Sequence, residues 1–214
     1  MVRIYYHIYL LDGVESIISE QMDLINKHFD FPYILNIGVS IGKQNETTSH
    51  IIDILKPNLR DIRAYGNEFV TLDLIEKDKE NFGDSDYILY IHTKGVTHMN
   101  KAGYKNIISW RHFMNYFNIE RHKDVFKLFE RTNFNTYGVL MLKDDNREIY
   151  SGNFWWATAG YLKTLDFTKS IKSRRYDAEC NFIQNGIEWK PYSAYNLSEK
   201  NHYNINFKRE EYAK

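Results

Sequence analysis

Residues 92–95 read His-Thr-Lys-Gly, and these residue types can handle an anion. An imidazole can ligate a divalent metal or donate to a phosphate oxygen. A lysine ammonium is a compact cation suited to a diphosphate. A following glycine lets the backbone turn close to a ligand. By itself a His-x-Lys is ordinarily a solvated loop, so its meaning depends on what positions it. The residues before it, "YILYI" (87–91), predict a buried strand that delivers His92, Thr93, Lys94 and Gly95 at its carboxyl end.

Other residues compete for attention. Asp84 and Asp86, in "DSD", spell a common metal motif, but they stand at the amino end of the same strand, where a turn cap facing solvent is expected. "KDDNRE" (143–148) places Asp144 and Asp145 in what reads as a charged hairpin turn. Asp177, in "YDAECNF", reads as a cap of the helix that Ala178 begins. "SGNFWWATAGYL" carries two adjacent tryptophans after a Gly-Asn turn. In an extended segment Trp155 and Trp156 must face opposite ways, so one indole is expected to be exposed, a floor for a sugar ring beside Asn153. Packing of one on the sheet and the other on a helix is the competing expectation. "KSRR" (172–175) reads as a solvated turn, His98, His112 and His122 as helix surface, and His202 as a late metal ligand only if the tail folds back.

The composition bounds the rest. The 214 residues suit one large α/β domain, at 43% hydrophobic and 26% charged. Lys+Arg and Asp+Glu balance at 28 each, so no global field recruits nucleic acid or an anionic membrane. Cys180 is the only cysteine, which excludes an intramolecular disulfide and a cysteine-based zinc site and fits a reducing, cytoplasmic setting. The N-terminal "MVRIYYHIYLLDG" makes a poor signal peptide, and no run of about 18 apolar residues exists to span a membrane. The sequons at Asn45 and Asn196 are then without consequence.

The elements that must position these residues alternate. Strands are predicted at 2–11, 33–42, 61–66 and 87–91, with helices at about 14–28, after Thr47/Thr48, and at 69–82. Four strand–helix alternations predict a mostly parallel central sheet flanked by helices. Beyond it, a long helical region is expected over 106–132, a strand at 136–142, an aromatic strand running into a helix at 152–165, a helix around 177–185, and an irregular tail over 196–214. One domain is expected, with 1–100 as a nucleotide-binding half and 101–195 as an acceptor and sugar half. In an open parallel sheet, ligands sit outside the carboxyl ends of the strands. Here those ends fall at 7–9, 40–42, 65–68 and 92–95.

Taken together, the strand ending in "HTKG", the helix "SWRHFMNYF", "GNFWWA" and "AECNF" resemble GT-A-fold glycosyltransferases of large algal viruses and of rhamnan-synthesis-type bacterial enzymes. The amino-terminal glycosyltransferase domain of chlorella-virus multidomain enzymes is especially similar. The resemblance runs from the first strand to about Tyr195. It implies a single Rossmann-like GT-A domain that moves a hexose or deoxyhexose from UDP-glucose or UDP-rhamnose to a glycan acceptor. It also implies that further domains of a longer polypeptide can accompany this one. In most of that group an Asp-x-Asp motif follows the fourth strand and holds Mn²⁺ or Mg²⁺ on the diphosphate. Here His92-Thr93-Lys94 takes that place, so either Lys94 compensates the charge or His92 takes one metal position.

The resemblance then distributes roles. His92, Thr93, Lys94 and Gly95 face the diphosphate, while His7, Tyr9, Gly66, Asn67 and Glu68 face the nucleoside. Thr71 and Asp73 reach the ribose or donor sugar, and Asn153, Trp155 and Trp156 flank sugar and acceptor. Glu179, with Asp177 beside it, stands where inverting relatives carry the acidic base. The alternative reading is a non-catalytic carbohydrate-binding module built on Trp155, Trp156 and the tyrosines.

Overall fold

The first strand alternates its side chains across both faces of a sheet, and so does every strand beside it. The structure, a computed structural model, describes residues 1–64, 66–144, 147–169, 175–180, 182–198 and 201–213. Strands β1 (Val2–Leu10), β2 (Tyr33–Ile41), β3 (Leu59–Ala64) and β4 (Tyr87–His92) are mutually parallel where they pair. β5 (Thr136–Gly138), β8 (Trp155–Thr158) and β9 (Pro191–Ser193) complete a seven-stranded sheet in the order β3-β2-β1-β4-β8-β5-β9, with β8 antiparallel to its neighbours. β6 (Met141–Asp144) and β7 (Arg147–Tyr150) form a separate hairpin. This is an α/β architecture of the Rossmann-like kind, a mostly parallel central sheet flanked by helices.

Helix α1 (Val14–His28), α4 (Tyr104–Asn115) and α5 (His122–Arg131) cover one face, burying Ile17 and Ile25, then Trp110, Phe113 and Met114, then Val125 and Phe129 against Ile4, Tyr6, Ile8, Leu89 and Ile91. On the other face α3 (Phe69–Asp78) and α6 (Ala159–Lys163) bring Phe69, Leu72, Ile75, Tyr161 and Leu162 against Tyr5, Ile88 and Tyr90. Burying whole aliphatic and aromatic side chains on two faces supplies most of the driving force for folding, about 1.5–3 kcal/mol for each aliphatic or Phe side chain removed from water. Gly38 permits α3 to come this close: a Cβ there would stand 2.2 Å from the Thr71 hydroxyl.

Three local expectations need correction. Helix α2 (Glu46–Leu55) is capped by Asn45, with Thr48 reciprocating in a capping box, so Thr47 is not the cap. The long helical region expected over 106–132 resolves into α4 and α5 separated by a π-helical turn, Tyr116–Glu120. That turn frees the Asn118 carbonyl for the Trp156 indole, which donates to it at 2.8 Å. The C-terminal segment is not irregular throughout: a 3-10 turn (His202–Asn204) and α8 (Arg209–Tyr212) lie on the sheet's larger core, where Phe207 and Tyr212 pack around Phe113. Tyr65, Asp145 and most of "KSRR" fall outside the described residues. No helix among the described residues is long and apolar enough to cross a membrane.

Candidate functional site

The strand order reverses between β1 and β4. From β1 the chain moves outward through β2 and β3, then returns to place β4 on the opposite side of β1. That reversal opens a crevice beyond the carboxyl ends of β1 and β4, the usual ligand position in an open parallel sheet. His7 and His92 are register partners across it. Thr93 straps the two ends together: its amide donates to the His7 carbonyl at 3.0 Å, and its hydroxyl accepts from the Tyr9 amide at 3.0 Å. Gly95 takes φ +95°, a backbone conformation open to glycine, and a Cβ there would stand 2.7 Å from Ile107. The strand therefore ends in a turn that no other residue makes without strain.

A cleft occupies this crevice. Its cavity of about 180 Å³ lies in an open groove whose empty space is about 800 Å³ out to the mouth. His7, Tyr9, Gly66, Asn67, Glu68, His92, Thr93, Lys94, Gly95 and Glu179 all line it. Residues anticipated at three separate strand ends, and one from the far half of the chain, thus share one wall.

Burial shapes the charges here. His7 is buried, its Nδ1 is 3.0 Å from the Thr71 hydroxyl, and burial pushes its imidazole down to about 3, so it is neutral at ordinary pH. His92 directs Nε2 at the Gly152 carbonyl, 2.9 Å away, and a carbonyl only accepts, so this nitrogen carries the proton. Lys94 is only 8% exposed; its ammonium lies 4.2 Å from the ring centre of Trp110 and 5.5 Å from that of Tyr203. Arg111 donates to the Lys94 carbonyl at 3.0 Å and to both Glu20 oxygens, anchoring the turn from behind. Burial would raise the Glu20 carboxyl, but hydrogen bonds from His112 and Arg111 hold it down at about 2. Beneath the cleft the Tyr90 hydroxyl is fully buried and has no hydrogen-bond partner among the described residues. Burial pushes this phenol up, with Glu68 and then Glu179 adding to the shift.

Several anticipated residues stand elsewhere. Trp155 and Trp156 are both 0% exposed, one in each core cluster, so neither indole is a sugar floor. They pair with Tyr90 and Leu89 across the β4–β8 ladder, where both faces of the sheet are covered. With them goes the binding face of a carbohydrate-binding module built on these two indoles. Asn153 is buried, accepting from the Trp155 indole at 3.1 Å and donating to the Ala178 carbonyl at 3.3 Å. Thr71 lies one layer behind His7, and Asp73 is engaged by Arg63 at 2.9 Å. Asp177 is buried in the first turn of α7 (Arg175–Cys180) and does not line the cleft. Asp84 and Asp86 are at the opposite edge, bonded to Lys163 and to Arg3 with the N-terminus.

Sequence reasoning missed Val96, Thr97, His98, Ile107 and Tyr203, which complete the lining. His98 was read as helix surface, although it follows "HTKG" closely enough to share its turn. For Tyr203 no local signal existed; only the return of the C-terminal segment brings it here. His202, beside it, is buried with Nδ1 2.7 Å from the Ser151 hydroxyl, and lies outside the cleft lining.

Mn²⁺ and Mg²⁺ prefer carboxylate, carbonyl and water oxygens. The end of β4 offers instead an ammonium and a histidine whose Nε2 is taken by Gly152. Among the described residues no three His, Cys, Asp or Glu side chains gather into an ion-holding set. The end of β4 thus lacks the Asp-x-Asp carboxylates, and no step below passes through a divalent cation.

A Rossmann-like sheet with a polar cleft at its point of reversal defines the class of the molecule: an α/β protein with a cleft at the β1/β4 ends. Its family is more specific. Residues 5–210 match the family described as Domain of unknown function (DUF8361), and the chain belongs to it. None of the curated proteins matches the chain. Among solved structures, it is similar to that of a cytidylyltransferase from Leptospira borgpetersenii serovar Hardjo-bovis, at 12% identity over 92% of this chain and 79% of that one, with a TM-score of 0.45. A likeness that loose carries no inference about chemistry.

Proposed function

We propose that this chain is a GT-A-type glycosyltransferase that moves a hexose or deoxyhexose from a UDP-sugar, UDP-glucose or UDP-rhamnose, to a glycan acceptor. One observation carries the reading: Lys94, a buried cation, shares a cleft at the sheet's point of reversal with the carboxylates Glu68 and Glu179. A cation for the leaving group and a carboxylate for the attacking hydroxyl are what glycosyl transfer requires.

The roles follow from position. The nucleoside lies against His7, Tyr9, Gly66, Asn67 and Glu68, and the diphosphate against His92, Thr93, Lys94 and the Gly95 backbone. In an inverting reaction the acceptor oxygen bonds to the anomeric carbon as that carbon's bond to the diphosphate oxygen breaks. The hydroxyl proton passes to Glu179, the bonding pair leaves with the diphosphate, and Lys94 offsets the charge that develops there. Charge compensation by a protein ammonium takes the place that a metal holds in Asp-x-Asp relatives.

The test is a screen of UDP-, GDP- and dTDP-sugars, with and without Mn²⁺, reading release of free nucleotide and thermal shift. UDP-sugars are expected to give release without added metal, and Lys94→Ala to weaken UDP binding about 10- to 100-fold, the scale of a charge-assisted contact. If no nucleotide of the three series shifts the melt, the reading is wrong.

A further inference from the structure

His7 is neutral at ordinary pH, so its imidazole has one ring proton to place on one of two nitrogens. The neighbours decide which. Nδ1 lies 3.0 Å from the Thr71 hydroxyl, and that hydroxyl donates to the Gly38 carbonyl at 3.3 Å. A carbonyl only accepts, and a hydroxyl has a single proton to give. With the threonine proton committed to Gly38, the Thr71 oxygen accepts from its other neighbour, so Nδ1 carries the ring proton. Gly38 makes the arrangement possible. It is the register partner of His7 on β2, and a Cβ there would collide with Thr71. Thr71 is fully buried, so solvent does not compete for its proton.

Nε2 then keeps its lone pair. It is the distal nitrogen of a side chain that lines the cleft, and no protein group among the described residues donates to it. The backbone behind it is held on both sides, by β2 and by the Thr93 amide on the His7 carbonyl. A neutral acceptor held in one direction has nothing to offer a phosphate; it pairs with an N–H or O–H donor. A ligand that lacks the donor leaves this acceptor unpaired, which is how a buried polar group discriminates. We infer that His7 is a specificity residue of the cleft, its Nε2 accepting from an N–H or O–H group of the nucleoside. This deepens the nucleotide-sugar reading above and rests on it for the identity of the ligand. Uridine offers such donors in two places, the N3–H of the base and the hydroxyls of the ribose.

The test has two parts. Long-range ¹H–¹⁵N spectra of the ligand-free protein at neutral pH report which nitrogen of His7 is protonated. A protonated Nδ1 and a bare Nε2 are expected, and a proton on Nε2 would overturn the inference. Calorimetric titration then compares UDP with 3-methyl-UDP, 2′-deoxy-UDP and 3′-deoxy-UDP in the wild type, His7→Asn and His7→Gln. An asparagine amide replaces Nδ1 and puts nothing at Nε2, whereas glutamine reaches the Nε2 position with an amide oxygen. In the wild type one analogue is expected to bind about three- to tenfold more weakly than UDP, the loss of one neutral hydrogen bond. Which analogue it is tells base from ribose. His7→Asn is expected to bind that analogue and UDP alike, and His7→Gln to regain the preference. Inorganic pyrophosphate, which has no nucleoside, should bind all three proteins equally. Equal affinity for UDP and every analogue in the wild type would overturn the inference, and that arm needs no variant to fold. So would a preference that survives in His7→Asn. If no nucleotide binds while the spectra show a bare Nε2, the nucleotide-sugar reading falls and the acceptor stands.

Discussion

Strands β4 and β8 are neighbours with almost the same aromatic character, yet one ends in a ligand cleft and the other is all interior. Tyr90 faces Trp155 and Leu89 faces Trp156 across the pair. The indoles fill two cores, and Trp155 stacks on Tyr90 at 5.1 Å. Two residues beyond Tyr90, His92 and its successors emerge at the carboxyl edge beside β1. Conspicuous residue types therefore say less than their position along a strand. A run such as "WW" in mid-strand is consumed by packing on both faces, whereas polar residues just past a parallel strand's end have no sheet left to pack against.

The contrast breaks most visibly with Trp156→Ala. It empties a fully buried site and orphans the Asn118 carbonyl, so a loss of about 3–5 kcal/mol in urea unfolding is expected, with UDP affinity of the folded fraction unchanged. A mild loss of stability with abolished ligand binding would return Trp156 to the site.

A smaller effect separates the two regions by pH. His7 is held neutral in the folded chain down to about pH 3, but takes up a proton below 6.5 when unfolded. Its contribution is complete above pH 6.5 and is lost progressively as the pH falls towards 3. At pH 5 the loss amounts to roughly 2 kcal/mol. Unfolding measured at pH 7.5 and pH 5 should show this slope, and His7→Gln should flatten it to the share left by His122, which burial also pushes down. The indoles do not titrate, so Trp155 and Trp156 variants should keep the slope. An unchanged slope in His7→Gln would place the titration elsewhere.

The smallest effect sharpens the comparison between the two ends of β4. Among the described residues Asp84 pairs only with Lys163, in solvent, so Asp84→Asn should leave both the melting temperature and UDP binding where they were. Loss of ligand binding in that variant would mean that the wrong edge of the sheet has been assigned.

Much of this was legible beforehand. The alternation of strands and helices over 1–92 predicted the parallel half of the sheet, and strand direction alone put His7, Asn67 and Lys94 on one edge and Asp84 on the other. Periodicity could not show that β8 runs antiparallel beside β4, because a four-residue strand has no preferred partner in its own sequence. Nor could it say that both indoles are covered: alternation requires opposite directions, and burial depends on whether a layer covers each face. Asn153 was read as flanking the sugar and acceptor with the two tryptophans, and is spent instead on an indole and a backbone carbonyl.

By itself, then, the sequence determined the elements, their direction and the sheet edge at which the cleft opens, because those follow from local propensity, side-chain period and strand direction. It also determined that Lys94 and Gly95 would close β4. The tertiary structure alone decided what Lys94 would touch. Tyr203 and Glu179 reach the same cleft from separate elements and Trp110 meets Lys94 from α4, and contacts between such distant residues are set by how the layers pack, a property that no local window of sequence contains.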